Sequence, residues 1–471
     1  MHDNPMDRRK MLWQTAGLAG GFSSLIGDAA AEPRSSVAPT RFRLATFSAD
    51  VTCPRGHPLI AGLRDPAKTI VDPLFARGFV LLGGGKPIVL CAVDWCEIRN
   101  RSYDLWRDEL AKAAGTDRVR VLLTSIHQHD APVTDLGAAK LLAEAGLPGA
   151  MFDPKFERRC VEKAAAALKA ALKSAQPVSH LGTGQAKVEK IASNRRVVGP
   201  DGRVSYARGS NSGGDRFHRE APEGLIDPWL KTLSFWNAGK PLLAVHCYAT
   251  HPMSYYGRGG VSADFVGMAR AMMQREFPGV FQIYASGCSG DVTAGKYNNG
   301  SPENRPLLAK RLFAAMKSAW TNTKRVPLTA AEFRSTTLDL PFRPAATHTD
   351  AALAKVVSDR KAAARNRILA AMGLASHRRV ASGEKIDFPC VDFGAAQLVL
   401  FPGESFVGYQ LQAQKQRPKS FVVSLGYGEC WPGYIPTTQG FKDKFRDVWL
   451  WVGPGSDREL RRGLERVLPR R

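Results

Sequence analysis

Short apolar runs recur along this chain, and several of them stop abruptly in a cluster of polar residues. The run PIVLCAVDW, residues 87–95, is nearly unbroken and β-branched, as suits a strand buried on both faces. NRSYDLWRDELAKAAG follows, with apolar residues at helical spacing and Gly115 as its stop. RVRVLLTSI then reads as a second strand. Strand, helix and strand in that order predict an α/β fold of mixed α+β character, a layered β-sheet core flanked by helices.

The alternation continues. PKFERRCVEKAAAALKAALKSAQP is Ala-rich and predicts a helix stopped by Pro177. PLLAVHCYATHPMSYY begins as a strand and turns polar, GMARAMMQREFPG predicts a helix, and VFQIYASGCSGDVTAG runs from a strand into a Gly-rich loop. LLAKRLFAAMKSAWTNT and TDAALAKVVSDRKAAARNRILAAMG predict one helix each. AAQLVLFPGESFVGYQLQAQ reads as strand, tight turn and helix, and SFVVSLGYGECWPGYIPTT as a strand entering an aromatic loop. Residues 192–224 are Gly-rich and polar, the pattern of long loops that carry function. Polar clusters follow apolar strands at residues 127, 251, 288, 404 and 434. Strand ends that meet on one rim are where α/β proteins build sites.

With 471 residues, 44% of them hydrophobic, the chain can bury a large core. No repeat or Pro/Ser linker divides residues 32–471, so one catalytic-sized domain is expected there. MDRRKMLWQTAGLAGGFSSLIGDAAAEP carries Arg8 and Arg9, then a short apolar stretch, then small residues. That is the grammar of a twin-arginine signal peptide over residues 1–31, and export to the periplasm or cell envelope is expected. The net charge of +23 attracts polyanions in general. The charges are scattered and no helix-turn-helix, zinc-finger or RNA-binding signature occurs, so nucleic acid is not an expected partner. Peripheral contact with an anionic membrane surface is. The 8 cysteines include no Cys-x-x-Cys pair, which argues against a thiolate zinc knuckle.

His127 and His129 end the strand-like run two residues apart. Alternate strand residues share a face, so both rings can address one pocket, and imidazole nitrogen suits zinc. A histidine pair also serves as an ordinary polar strand end. His246 and His251 lie together in AVHCYATHPM, with His251 at the strand-to-loop transition. Glu404 in LVLFPGESF opens a helix, where the backbone dipole alone favours a carboxylate. Tyr434 in WPGYIPTT reads by itself as a packed loop aromatic. Cys288 and Ser289 in ASGCSGDV occupy another strand end, but such a nucleophile needs a neighbouring base and none is local.

Taken in order, IHQHDAP, SNRRV, THPMSYYGRGGVSADF, SGCSGDVTAG, FPGESF and GYIPTT resemble the N-terminal catalytic domain of the neutral (alkaline, non-lysosomal) ceramidases. The resemblance runs from residue 48 to residue 438. It implies a zinc-dependent amidohydrolase that cuts a lipid or small-molecule amide with a zinc-activated water. It assigns Zn2+ to His127, His251, Glu404 and Tyr434, and catalytic roles to His129, Arg195 and Asp264. His129 and Arg195 would contact substrate oxygen, while Asp264 and Asp130 would accept hydrogen bonds from the metal-bound rings. HQHDAP stands where the family has an HTHSGP-like stretch, and QGFKDKFRD where it has a Glu-Glu-Tyr segment. With 37 residues after Tyr434, a branch without the immunoglobulin-like C-terminal domain is expected. Two other readings stand beside this one. One is a non-catalytic envelope protein whose basic surface engages anionic lipid or polymer. The other is a hydrolase working through Cys288 or Ser289.

Overall fold

The computed structural model describes residues 41–470, and the twin-arginine segment lies outside them. Three sheets organise the chain. The first joins β1 (Arg43–Asp50), β2 (Phe75–Leu82), β3 (Ile88–Val93), β4 (Val121–Ser125) and the short β5 (Gln176–Pro177) in the order β4-β3-β2-β1-β5. The second joins β6 (His180–Lys187), β7 (Trp229–Asn237), β8 (Lys240–Tyr248), β9 (Phe281–Ser286) and β10 (Lys324–Pro327) in the order β9-β8-β7-β6-β10. The third joins β11 (Glu332–Leu338), β12 (Ile386–Asp392), β13 (Ala396–Leu400) and β14 (Phe421–Leu425) in sequence order. The main helices are α1 (Asn100–Ala114), α2 (Pro154–Ala171), α3 (Asp264–Glu276), α4 (Asn304–Thr321), α5 (Asp350–Ser358), α6 (Ala364–Ala381) and α7 (Val407–Gln416). One hydrophobic cluster runs through all three sheets, from Phe42 to Leu468. The architecture is the mixed α/β arrangement of sheets and helices that the apolar pattern predicts. Among the described residues, no helix is long and apolar enough to cross a membrane.

Each sheet carries one parallel pair at one edge. Val89 of β3 lies opposite Val121 of β4, Leu243 of β8 opposite Phe281 of β9, and Ala396 of β13 opposite Phe421 of β14. Parallel neighbours need a crossover, and α1, α3 and α7 supply the three. The C-terminal ends of β4, β9 and β14 are stitched together. Ser286 Oγ donates to the Ile126 carbonyl at 2.7 Å, Gly426 N–H to Ser286 at 2.9 Å, and Ser125 N–H to Tyr427 at 3.1 Å. The polar clusters of the sequence therefore meet where three βαβ units converge.

α1 ends as its sequence predicts, with Gly115 left-handed at φ 65° and its N–H on the carbonyls of Ala111 and Lys112. The expected helix over residues 349–373 is instead two, α5 and α6. The Asp359 carboxylate accepts the Lys361 N–H at 2.9 Å, a local turn that outcompetes the helical ladder. β6, HLGTGQAK, carries no strand signal in the sequence. It pairs because α4 lies directly on its bare backbone: a Cβ at Gly184 would fall 2.0 Å from the Ala319 carbonyl.

Candidate metal centre

His127 lies just beyond β4 with φ 68°, a conformation costly for a residue with a Cβ. Its N–H reaches the Trp95 carbonyl at 3.0 Å, and its ring Nδ1 faces the Cys96 carbonyl at 2.9 Å. His251, beyond β8, directs its own Nδ1 to the Ser289 carbonyl at 2.6 Å. A carbonyl only accepts, so each ring carries its proton on Nδ1 and presents a bare lone pair on Nε2. Burial pushes His251 down to about 4, which keeps that ring neutral at ordinary pH. Glu404 follows Gly403, whose φ of 48° and close approach to the Gly433 carbonyl exclude a side chain there. The turn fixes Glu404 N–H on Gly433 at 2.8 Å and pairs Glu404 with Tyr434 in a short parallel bridge.

The three side chains converge. Glu404 Oε2 is 2.9 Å from His251 Nε2 and 3.3 Å from His127 Nε2, and all three residues are no more than 1% exposed. Burial opposes the charge on Glu404, and only positive charge or an N–H facing it holds its carboxyl below the usual range, a role left to a bound cation once both rings carry their proton on Nδ1. Two lone pairs and an anion thus face one another with no proton between them, and His127 Nε2 has no hydrogen-bond partner. A cation resolves that arrangement. The ligand atoms all lie within 4.8 Å of one another. A tetrahedral metal ion with bonds of about 2.0–2.1 Å sets neighbouring ligand atoms roughly 3.3 Å apart, close to both Glu404 distances. Cys96, His127 and His129 form a second such group. His127 already directs its Nδ1 to the Cys96 carbonyl and its Nε2 toward Glu404, which favours the first group.

A cavity of about 280 Å³ opens onto the cluster, and His127, His129, Arg195, Glu404, Tyr434 and Asp447 all stand on its wall. Neither ring nitrogen of His129 has a partner, and burial draws its pKa well down. The Arg195 guanidinium lies 5.5 Å over the Tyr434 ring, and its Nε is also unpartnered. Tyr434 stacks beside His251 at 6.2 Å, and burial raises its phenol well above the ordinary range. Asp264 does not line this cavity. With φ 54° it starts α3, accepts the Ser254 N–H at 3.1 Å and lies 3.4 Å from Arg305. Asp130 joins the same Arg305 at 3.2 Å and accepts the Gly257 N–H at 2.8 Å. These two carboxylates pin the loop that carries His251 and Tyr256. The acceptors for the metal-site rings are backbone carbonyls instead.

His246 lies inside the second sheet, held by Thr232 Oγ1 at 2.8 Å and Gln282 Oε1 at 2.9 Å. Cys288 is fully buried and burial raises its thiol well above the ordinary range. Ser289 Oγ bonds the Tyr427 hydroxyl at 2.7 Å rather than a histidine. Tyr427 is the residue that sequence reasoning missed. Its ring stacks on His127 at 4.2 Å and 18°, and its φ is 56°. An aromatic between two glycines just past a strand, in SLGYGE, was the signal available.

No protein-family model matches the sequence, and no curated protein matched it. Solved structures do. Neutral ceramidase from Pseudomonas aeruginosa superimposes with a TM-score of 0.66 at 18% identity, over 91% of this chain and 74% of that one. A ceramidase complexed with C2 gives 0.66 at 17% identity, over 91% and 75%. The chain has the neutral-ceramidase fold.

Proposed function

We propose that this protein is a zinc-dependent hydrolase of N-acyl amide bonds, with His127, His251 and Glu404 as ligands and Tyr434 as the fourth donor. The observation that carries the reading is the convergence of two Nε2 lone pairs and one carboxylate, with both Nδ1 atoms committed to backbone carbonyls. The fold shared with ceramidases supports an amide, and a lipid amide in particular, as the substrate. Bound zinc would supply a Lewis acid for the acyl carbonyl and an acidified water at neutral pH. His129 stands neutral on the cavity wall with both nitrogens free, ready to hydrogen-bond the acyl oxygen or carry a proton. Arg195 places a fixed positive charge beside the same cavity, where negative charge grows on that oxygen. Asp264 positions the His251 loop through Ser254 and touches no reacting atom. Export through the twin-arginine route, which would deliver the protein folded with its metal, rests on the first 31 residues alone.

The test is elemental analysis of the purified mature protein together with a panel of N-acyl amides. One zinc per chain is expected, with hydrolysis abolished by a chelator and restored by zinc. Zinc-loaded protein that cuts none of the panel would overturn the proposal and leave a binding protein.

A further inference from the structure

Beyond the ligand cluster, the polar wall of the cavity is almost entirely of one sign. Arg64, Arg195 and Arg365 line it, and an adjoining cavity of about 260 Å³ shares Arg64 and adds Arg258. The carboxylates on these two walls are Glu404, already in the ligand cluster, and Asp447. Asp447 accepts the Trp449 N–H at 2.9 Å and faces Arg195, which leaves Arg64, Arg258 and Arg365 as the cations of these walls without a carboxylate beside them. Some exposed arginines elsewhere take carboxylate partners, as Arg118 does with Asp108 at 2.5 Å and Arg378 with Asp350 at 2.8 Å. Among the described residues, Arg64 and Arg365 have none. Arg64 is also held in place. Its stem crosses Gly257, where a Cβ would fall 3.1 Å from Arg64 Cδ.

The guanidinium groups along these two walls each offer a planar fork that fits a carboxylate, phosphate or sulfonate. We infer that the substrate carries such an anionic oxygen group on the amine fragment of the amide, and that Arg64 and Arg365 receive it. The inference rests on the amidase reading. The acyl fragment of an N-acyl lipid is its hydrocarbon half, and Ile60, Leu63, Met253 and Val448 supply apolar wall for it. A neutral amino-alcohol amide would leave the arginines unpaired.

The experiment compares N-dodecanoylglycine with N-dodecanoylethanolamine, which differ only in carboxylate against alcohol. The zinc-loaded mature protein should favour the glycine amide by at least ~10-fold in kcat/KM, the size expected of a charge-assisted hydrogen bond, and less so at high salt. R64Q/R365Q should cut that ratio by about tenfold. Equal turnover of the two amides by the wild type, or a ratio unchanged in the double variant, overturns the inference while the amidase reading stands. Should neither amide be cut, binding decides. Decyloxyacetate must then bind tighter than decyloxyethanol by a similar factor, and R64Q/R365Q must abolish the difference. A double variant that keeps the substrate ratio but releases phosphatidylglycerol vesicles would assign the arginines to a membrane and sink the inference.

Discussion

β3 and β4 lie side by side, run parallel, and each delivers a buried polar residue at its end, yet the two ends handle burial differently. Asp94, one residue past β3, meets Arg270 of α3 in a two-pronged pair at 2.6 and 2.6 Å, and its Oδ2 also accepts the Phe75 N–H at 2.9 Å. Donors match acceptors there. His127, just past β4, faces His251 and Glu404, where three acceptors meet no donor. The first arrangement is complete as folded. The second becomes complete when a cation enters. Both sites are polar, buried and at strand ends, so burial alone does not tell structure from function. The mismatch of donors and acceptors does.

The largest effect should follow from Glu404→Gln, which breaks the mismatch without changing shape. The new amide can donate to His251 Nε2, 2.9 Å from the present Oε2. Zinc affinity should fall by more than the roughly 100-fold that supporting residues cost, and amide hydrolysis with it. The metal-free variant should unfold at or above the temperature of the metal-free wild type, because facing lone pairs have been relieved. Elemental analysis and thermal unfolding in chelator read both outcomes. A metal-free variant that melts well below its parent would mean the cluster satisfies itself, and the contrast between the two strand ends would fail.

Arg270→Met attacks the other strand end. It strands Asp94 as a buried, unpaired charge, at a cost of roughly 3–5 kcal/mol in denaturant unfolding. Zinc content and the KM for an amide should stay near wild type. Adding Asp94→Leu should recover most of the stability, since apolar replacement of a buried pair is often neutral. Loss of zinc in the single variant would show that the two ends are coupled through Trp95 and Cys96, whose carbonyls hold His127.

The comparison also marks what the sequence could reveal. Strand ends were legible, because an apolar run that stops in polar residues is a local pattern, and α1 and its Gly115 stop were readable for the same reason. Residues 127, 251 and 404 stood out as polar strand ends before any geometry. That they face one another depends on three crossovers in three sheets, which no local pattern encodes. The carbonyls of Cys96 and Ser289, which set both tautomers, belong to backbone that every residue has. β6 was invisible because its fit depends on missing side chains, and α5 and α6 were fused because one Asp359 turn outweighs a periodic stretch. Asp264 was grouped with the catalytic residues by its place in a motif, whereas its carboxylate serves the loop behind the site.

Glu157 offers a third way to bury a carboxylate, with the smallest expected effect. It sits in the first turn of α2, fully buried, with Ser102 Oγ donating to Oε2 at 2.8 Å and, among the described residues, no basic side chain paired to it. A helix N-terminus favours the anion by about 0.3–1 kcal/mol, but burial works against it and wins, raising the pKa from 4.5 to about 7. Glu157 therefore neither pairs, like Asp94, nor awaits a metal, like Glu404; it holds its proton up to about neutral pH. Because the folded value lies above the unfolded one, its contribution to stability is whole below the unfolded value and is lost as pH climbs through the folded one. Glu157→Gln preserves size and the acceptor for Ser102 while removing the titration. Measured by denaturant unfolding, the variant's advantage over wild type should widen by about 2 kcal/mol between about pH 5 and pH 8. Parallel profiles across that range would mean that Glu157 is ionised in the fold and that an unrecognised donor or cation lies beside it, which would return it to the class of Asp94.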